Sequence, residues 1–121
     1  MQFKEKDEDI RGKRWNFQDN GNLVSLFEIK KGFTRGGQYH KNEVTHILIS
    51  GTVEYRKENI ITKEEEISIL KAYSITCLPV NTSDLITALE DSIMIGIYKK
   101  ENENTFYPKH RKIVEDKIFN K

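Results

Sequence analysis

Short runs of alternating apolar and polar residues, broken by turn signals roughly every ten positions, leave this chain few folds to adopt. Arg11 to Phe17 sets Trp15 and Phe17 on one face, and the turn Asp19-Asn20-Gly21-Asn22 leads into Leu23 to Ile29, which predicts a hairpin. Thr52 to Arg56 carries Val53 and Tyr55 on one face, and a polar turn follows at Lys57 to Asn59. Further strands are predicted at Ile60 to Thr62, Glu66 to Leu70, Ser74 to Leu78, Asp84 to Ala88 and Ser92 to Tyr98, the last with Ile93, Ile95 and Ile97 on one face. No helical period interrupts the series, so it predicts an all-β sandwich or barrel.

The period changes only near the C-terminus. From Pro108 onward Ile113, Val114, Lys117 and Ile118 fall at helical spacing, which predicts a short amphipathic helix packed on the barrel or on a partner. With 121 residues the chain makes one domain. Residues 1–9 alternate charges around Phe3 and read as a frayed tail unless Phe3 docks, residues 10–98 as the barrel, and residues 99–121 as a polar connector and the helix.

Polar chemistry concentrates in Gly32 to Gly51, GFTRGGQYHKNEVTHILISG. On a strand the period of two puts Gln38 and His40 on one face and Tyr39 on the other. In the run after it His46, Leu48 and Ser50 share a face and Ile47 and Ile49 the opposite one. Apolar residues on both faces predict a strand covered on both sides, with Leu48 in the core, as in a small barrel whose inner face lines a cavity. The pair Gly36-Gly37 is no phosphate loop, because no helix follows it whose N-terminus could hold an anion.

Composition excludes several functions. The chain is 32% charged but sums to +1, a balance that argues against a nucleic-acid binder. It has no apolar run of about 18 residues and no charged-apolar-small succession at its start, which predicts neither a membrane span nor a secretory leader. The single cysteine, Cys77, cannot form an intramolecular disulfide; between Ile75 and Leu78 it reads as a buried, inert thiol, and a cytoplasmic location is expected.

The glycine pair, the x-x-His segment, the hydrophobic strand ending Ser50-Gly51, and the later Leu78-Pro79-Val80-Asn81 before Ala88-Leu89-Glu90-Asp91-Ser92 together resemble the two motifs of the cupin superfamily. The resemblance covers roughly residues 10 to 98 and implies a cupin-like jelly-roll barrel. In cupins the motifs commonly supply three histidines and a glutamate to one divalent metal. Here Gln38 stands at the first histidine, His40 keeps the second, Val44 falls at the glutamate, with Glu43 or Thr45 one step away, and Asp84 stands at the histidine of the second motif. A narrower likeness is to the keto-isomerases and epimerases of dTDP-linked deoxysugars, through Arg11-Gly12 and Arg35-Gly36-Gly37-Gln38-Tyr39-His40. In that branch a histidine transfers protons without a metal.

Each residue also has an ordinary reading. His40 is an acid/base or metal ligand, or else a hydrogen-bonded barrel histidine. His46 completes the site or is a core histidine, and His110 reads as a surface residue. Gln38 bonds a ligand or fills the lost histidine's volume. Asp84 ligates a metal, orients His40, or caps a turn. Arg35 pairs with a phosphate or lies on the surface. Trp15, Tyr39 and Tyr55 stack on a ligand or simply pack.

The resulting expectation is a cupin that binds a sugar or nucleotide-sugar in its lumen and isomerises or epimerises it through His40, with Arg35, Gln38, Tyr39, His46 and Asp84 around the ligand. The alternatives are a metal-dependent enzyme with a Gln38/His40/His46/Asp84 set, and a non-catalytic sensor or structural cupin. A homodimer is expected, because the two-sided apolar strands and the amphipathic helix leave more apolar surface than one small barrel covers.

Overall fold

The computed structural model describes residues 1–99 and 103–119. Its strands are β1 (Gln2–Asp9), β2 (Gly12–Asp19), β3 (Asn22–Ile29), β4 (Thr34–Gly36), β5 (Gln38–His40), β6 (Val44–Ser50), β7 (Thr52–Asn59), β8 (Glu65–Lys71), β9 (Ser74–Leu78), β10 (Thr82–Ala88), β11 (Ser92–Tyr98) and β12 (Asn104–Phe106), followed by helix α1 (Pro108–Phe119). A six-stranded sheet runs β1-β2-β3-β11-β6-β9, a four-stranded sheet β4-β10-β7-β8, and a short ribbon pairs β12 with β5. Every pairing is antiparallel.

The core lies between the two larger sheets. Phe27, Ile29, Leu48 and Met94 come from the six-stranded sheet and Val53, Tyr55, Ile86 and Ala88 from the four-stranded one. Period two accounts for this. In β6 the buried positions are Val44, His46 and Leu48, while Thr45, Ile47 and Ile49 on the opposite face are only half-buried. Helix α1 begins at Pro108 as its fixed φ favours, and sits against β4 and β10 with His110 and Val114 buried.

Several expectations are corrected. Residues 1–9 are not a tail: β1 pairs with β2 from Gln2↔Gln18 to Asp9↔Gly12 and closes the sheet with an edge strand whose side chains are all exposed. Its charges suit an exposed edge, and Phe3 docks edge-on to Phe17 at 5.6 Å. Lys57 to Asn59 continue β7 instead of turning, and Ile60 to Thr62 form the turn instead of a strand. The reason is Asn59, whose Oδ1 accepts from the N–H groups of Ile61 and Thr62 at 2.9 and 3.0 Å. Part of the presumed connector is β12, whereas residues 100–102 lie outside the described residues. Cys77 is exposed, because it shares the outer face of β9 with Ile75.

Candidate functional site

A cavity of about 230 Å³ opens between the sheets, and Arg35, Gln38, His40, His46 and Asp84 all line it. Tyr39 does not: with Gln38 and His40 facing the cavity, the alternation of β5 turns Tyr39 to the other side, which corrects its assignment to the ligand site. Arg11 and Arg14 from the first hairpin, Arg111 from α1, and Phe27, Ile86 and Tyr98 complete much of the wall.

The glycine pair shapes this cavity. Gly36 and Gly37 have φ of +112° and +80°, and a Cβ on Gly36 would stand 2.7 Å from the Asp84 backbone oxygen and 2.8 Å from its Oδ1. Only glycine lets the β4–β5 chain pass that close, and Gly37 N–H donates to the Asp84 backbone oxygen at 2.6 Å. The pair is thus a seat for Asp84.

His40 donates from Nδ1 to the amide oxygen of Asn104 at 2.6 Å, since that oxygen can only accept. Nδ1 therefore carries the hydrogen and Nε2 keeps its lone pair. Burial holds the His40 pKa below its ordinary value, against the Asn104 bond, so a neutral imidazole with a basic Nε2 is the form near neutrality.

His46 is fully buried, and burial, with the charges of His40 and Lys57 adding, pushes its pKa down to about 3. Its Nδ1 and the Tyr55 hydroxyl share a hydrogen bond at 2.5 Å; burial raises the Tyr55 phenol well above 10, so it keeps its proton. Its Nε2 lies 3.9 Å from Asp84 Oδ2. The spacing is that of an ion pair, but His46 is neutral and carries no charge to pair with the carboxyl group.

Asp84 is buried and its pKa is pushed up to about 7 by that burial, held back by the backbone N–H groups of Asp84, Gln38 and Gly37. Its Oδ1 is buried without a hydrogen-bond partner among the described residues. A carboxyl group poised near neutrality on a cavity wall can give or take a proton.

The arginines set the charge. Among the described residues, four guanidinium groups line the cavity against the one carboxyl of Asp84. Arg35 lies deep, bonded to the Glu28 carbonyl at 2.7 Å and the Gly12 carbonyl at 3.3 Å; burial, then the Arg11 charge, lowers its pKa to about 10, which leaves it protonated. It is buried, not a surface residue. Arg11 is paired with Asp9, Arg14 with Asp7 at 2.9 Å, and Arg111 donates to the Gly36 carbonyl at 3.0 Å.

Among the described residues, His40, His46 and Asp84 do not bring their ligand atoms within 4.8 Å of one another; Glu58, Glu65 and His110 do, on the outer side of the four-stranded sheet. His110 is accordingly not a surface residue but completely buried, with Nδ1 2.8 Å from Ser83 Oγ. Sequence reading missed Glu58 by assigning it to a turn, whereas the structure sets it directly opposite Glu65 across β7 and β8.

No protein-family model and no curated protein matches the sequence. Solved structures do. The chain superposes on the capsular polysaccharide assembling protein CapF from Staphylococcus aureus with a TM-score of 0.72 and 19% identity, covering 84% of this chain and 32% of that one. A variant of Bacillus subtilis oxalate decarboxylase gives a TM-score of 0.72 at 16% identity, over 85% of this chain and 30% of that one. The chain spans about a third of the length of these proteins. By the arrangement of its sheets and by these likenesses, its fold is the cupin jelly roll.

Proposed function

We propose that the chain binds a small anionic ligand, a sugar phosphate or the sugar end of a nucleotide-sugar, in the barrel lumen, and moves a proton on it through His40 and Asp84. The observation that carries this reading is four arginines around a cavity that also holds a neutral imidazole and a carboxyl group titrating at about 7. Guanidinium forks suit phosphate and carboxylate oxygens. At about 230 Å³ the lumen lies below the roughly 300 Å³ at which pockets for drug-sized ligands begin. A whole dTDP-sugar would therefore keep its nucleotide outside, with its diphosphate near Arg14, the more exposed of the arginines.

Calorimetric titration with a hexose phosphate, a dTDP-hexose and the free hexose tests the binding. Both phosphorylated compounds should bind and weaken as salt rises, and Arg14→Met should cost about 1–2 kcal/mol of their affinity. His40→Ala and Asp84→Ala should each weaken binding by about 1–3 kcal/mol. Equal affinity for the free hexose would overturn the anionic assignment. Proton transfer is tested separately: incubated in D2O, the bound sugar should gain deuterium at carbon in the wild type and not in His40→Ala. Binding without exchange in the wild type would leave a sensor rather than an isomerase.

We also propose that the protein is a homodimer joined through the outer face of its six-stranded sheet. Trp15, Leu26, Ile95, Ile47 and Ile75 are successive cross-strand neighbours on that face, and Ile75 is 72% exposed. An apolar row across five strands is of the kind that an isologous interface covers. Sedimentation at micromolar concentration should give twice 14.2 kDa, reverting to monomer in Ile75→Glu. A wild-type monomer would refute this.

A further inference from the structure

We propose that Glu58, Glu65 and His110 form a second site, for one divalent transition metal, outside the barrel where α1 meets the β7–β8 hairpin. Glu58 and Glu65 are directly opposed across the two strands, a placement that costs stability unless a cation or a shared proton lies between the carboxylates. Their oxygens and a ring nitrogen of His110 all fall within 4.8 Å of one another.

An independent observation comes from His110. The residue is completely buried, and Ser83 occupies its Nδ1, yet Nε2 has no hydrogen-bond partner among the described residues. That nitrogen faces Glu58 Oε1 at 3.7 Å, too far for a hydrogen bond. Two metal–ligand bonds of about 2.1 Å span such a gap at an angle a little wider than tetrahedral. A buried imidazole anchored through one nitrogen and turning the other toward two carboxylates has the arrangement of a metal-ligating histidine with its outer-shell partner.

Lys109 now supplies the positive charge. Its Nζ lies 2.7 Å from Glu58 Oε1, while Tyr107 donates to the other oxygen. The Lys109 side chain is 57% exposed, so its ammonium can swing into water and give up Oε1. Glu65 is exposed, which leaves an entry path and room for a water as fourth ligand. One nitrogen and two carboxylate oxygens favour zinc and its neighbours over magnesium, which prefers oxygen and water. Ligation would tie α1 to the hairpin.

The test is calorimetric titration of the untagged, chelator-stripped chain with zinc chloride, alone and with excess magnesium, together with melting curves. One zinc per chain should bind in either condition and raise the melting temperature. Glu65→Gln, an exposed substitution that spares the core, should weaken zinc by at least about tenfold and abolish the melting shift. Lys109→Met, which removes the competing ammonium, should tighten it, and His40→Gln should leave it unchanged. No stoichiometric zinc, displacement by magnesium, loss on His40→Gln, or unchanged affinity in Glu65→Gln or Lys109→Met would each overturn the site.

Discussion

Leu48→Ala is expected to lower the unfolding free energy by about 2–5 kcal/mol, measured by urea denaturation at fixed pH and protein concentration. Leu48 has no exposed surface and sits on the inner face of β6 opposite Met94. It belongs to the same cluster as Phe27, Ile29, Val53, Tyr55 and Ile86, contributed by both sheets. Hydrogen-bonded ladders hold the walls apart, so the cavity left by three lost carbons cannot easily collapse, and the upper part of the range is favoured. Ile47→Ala, one residue away on the half-buried outer face, should cost less. A loss below about 0.5 kcal/mol for Leu48→Ala would sink its core assignment.

Period two made the central strands readable, because in β3, β6 and β11 one face is core and the other is only partly covered. The same rule, applied to β9, would have placed Cys77 beside Ile75 on the outside; its apolar neighbours in sequence misled because Leu78 points the other way. Strand β1 was illegible for a different reason. None of its residues is buried, and Phe3 alone packs on β2, so its pairing leaves no alternating hydrophobic pattern in the sequence. The β7 boundary turned on a single side chain, Asn59, bonding its own turn.

The site divides in the same way. Spacing and motif likeness pointed to Arg35, Gln38, His40, His46 and Asp84, and these residues line one cavity. Arg14 and Arg111 could not be foreseen, since they enter from the first hairpin and the C-terminal helix, brought there by tertiary packing. His110 looked like surface because its neighbours Lys109, Arg111 and Lys112 are all charged. It is buried because the outer face of the four-stranded sheet presents Ser83 and Glu58 to it.

Asp84→Asn should stabilise the protein, by an amount that depends on pH. In the folded chain burial holds the Asp84 pKa at about 7, against an ordinary value of 3.8. Between those values the native state keeps a proton that the unfolded chain has released, so the native state binds more protons and stability falls as pH rises. The loss begins near pH 4, grows by about 1.4 kcal/mol per pH unit, and is complete above about pH 7, where it reaches roughly 4 kcal/mol as an upper bound. Asparagine has nearly the same shape and carries no charge to bury. The advantage of Asp84→Asn over wild type should thus be small at pH 4 and level off above pH 7. His46 acts in the opposite sense, because its pKa of about 3 lies below the ordinary imidazole value and its contribution is lost as pH falls from about 6.5 toward 3. It is present in both proteins and cancels in the difference. Urea midpoints for the pair from pH 4 to 8 measure the effect. A difference independent of pH, or a variant less stable than wild type at pH 8, would mean that Asp84 is ionised and held by a cationic partner, and the carboxyl group would then lose its place as a proton donor at neutral pH.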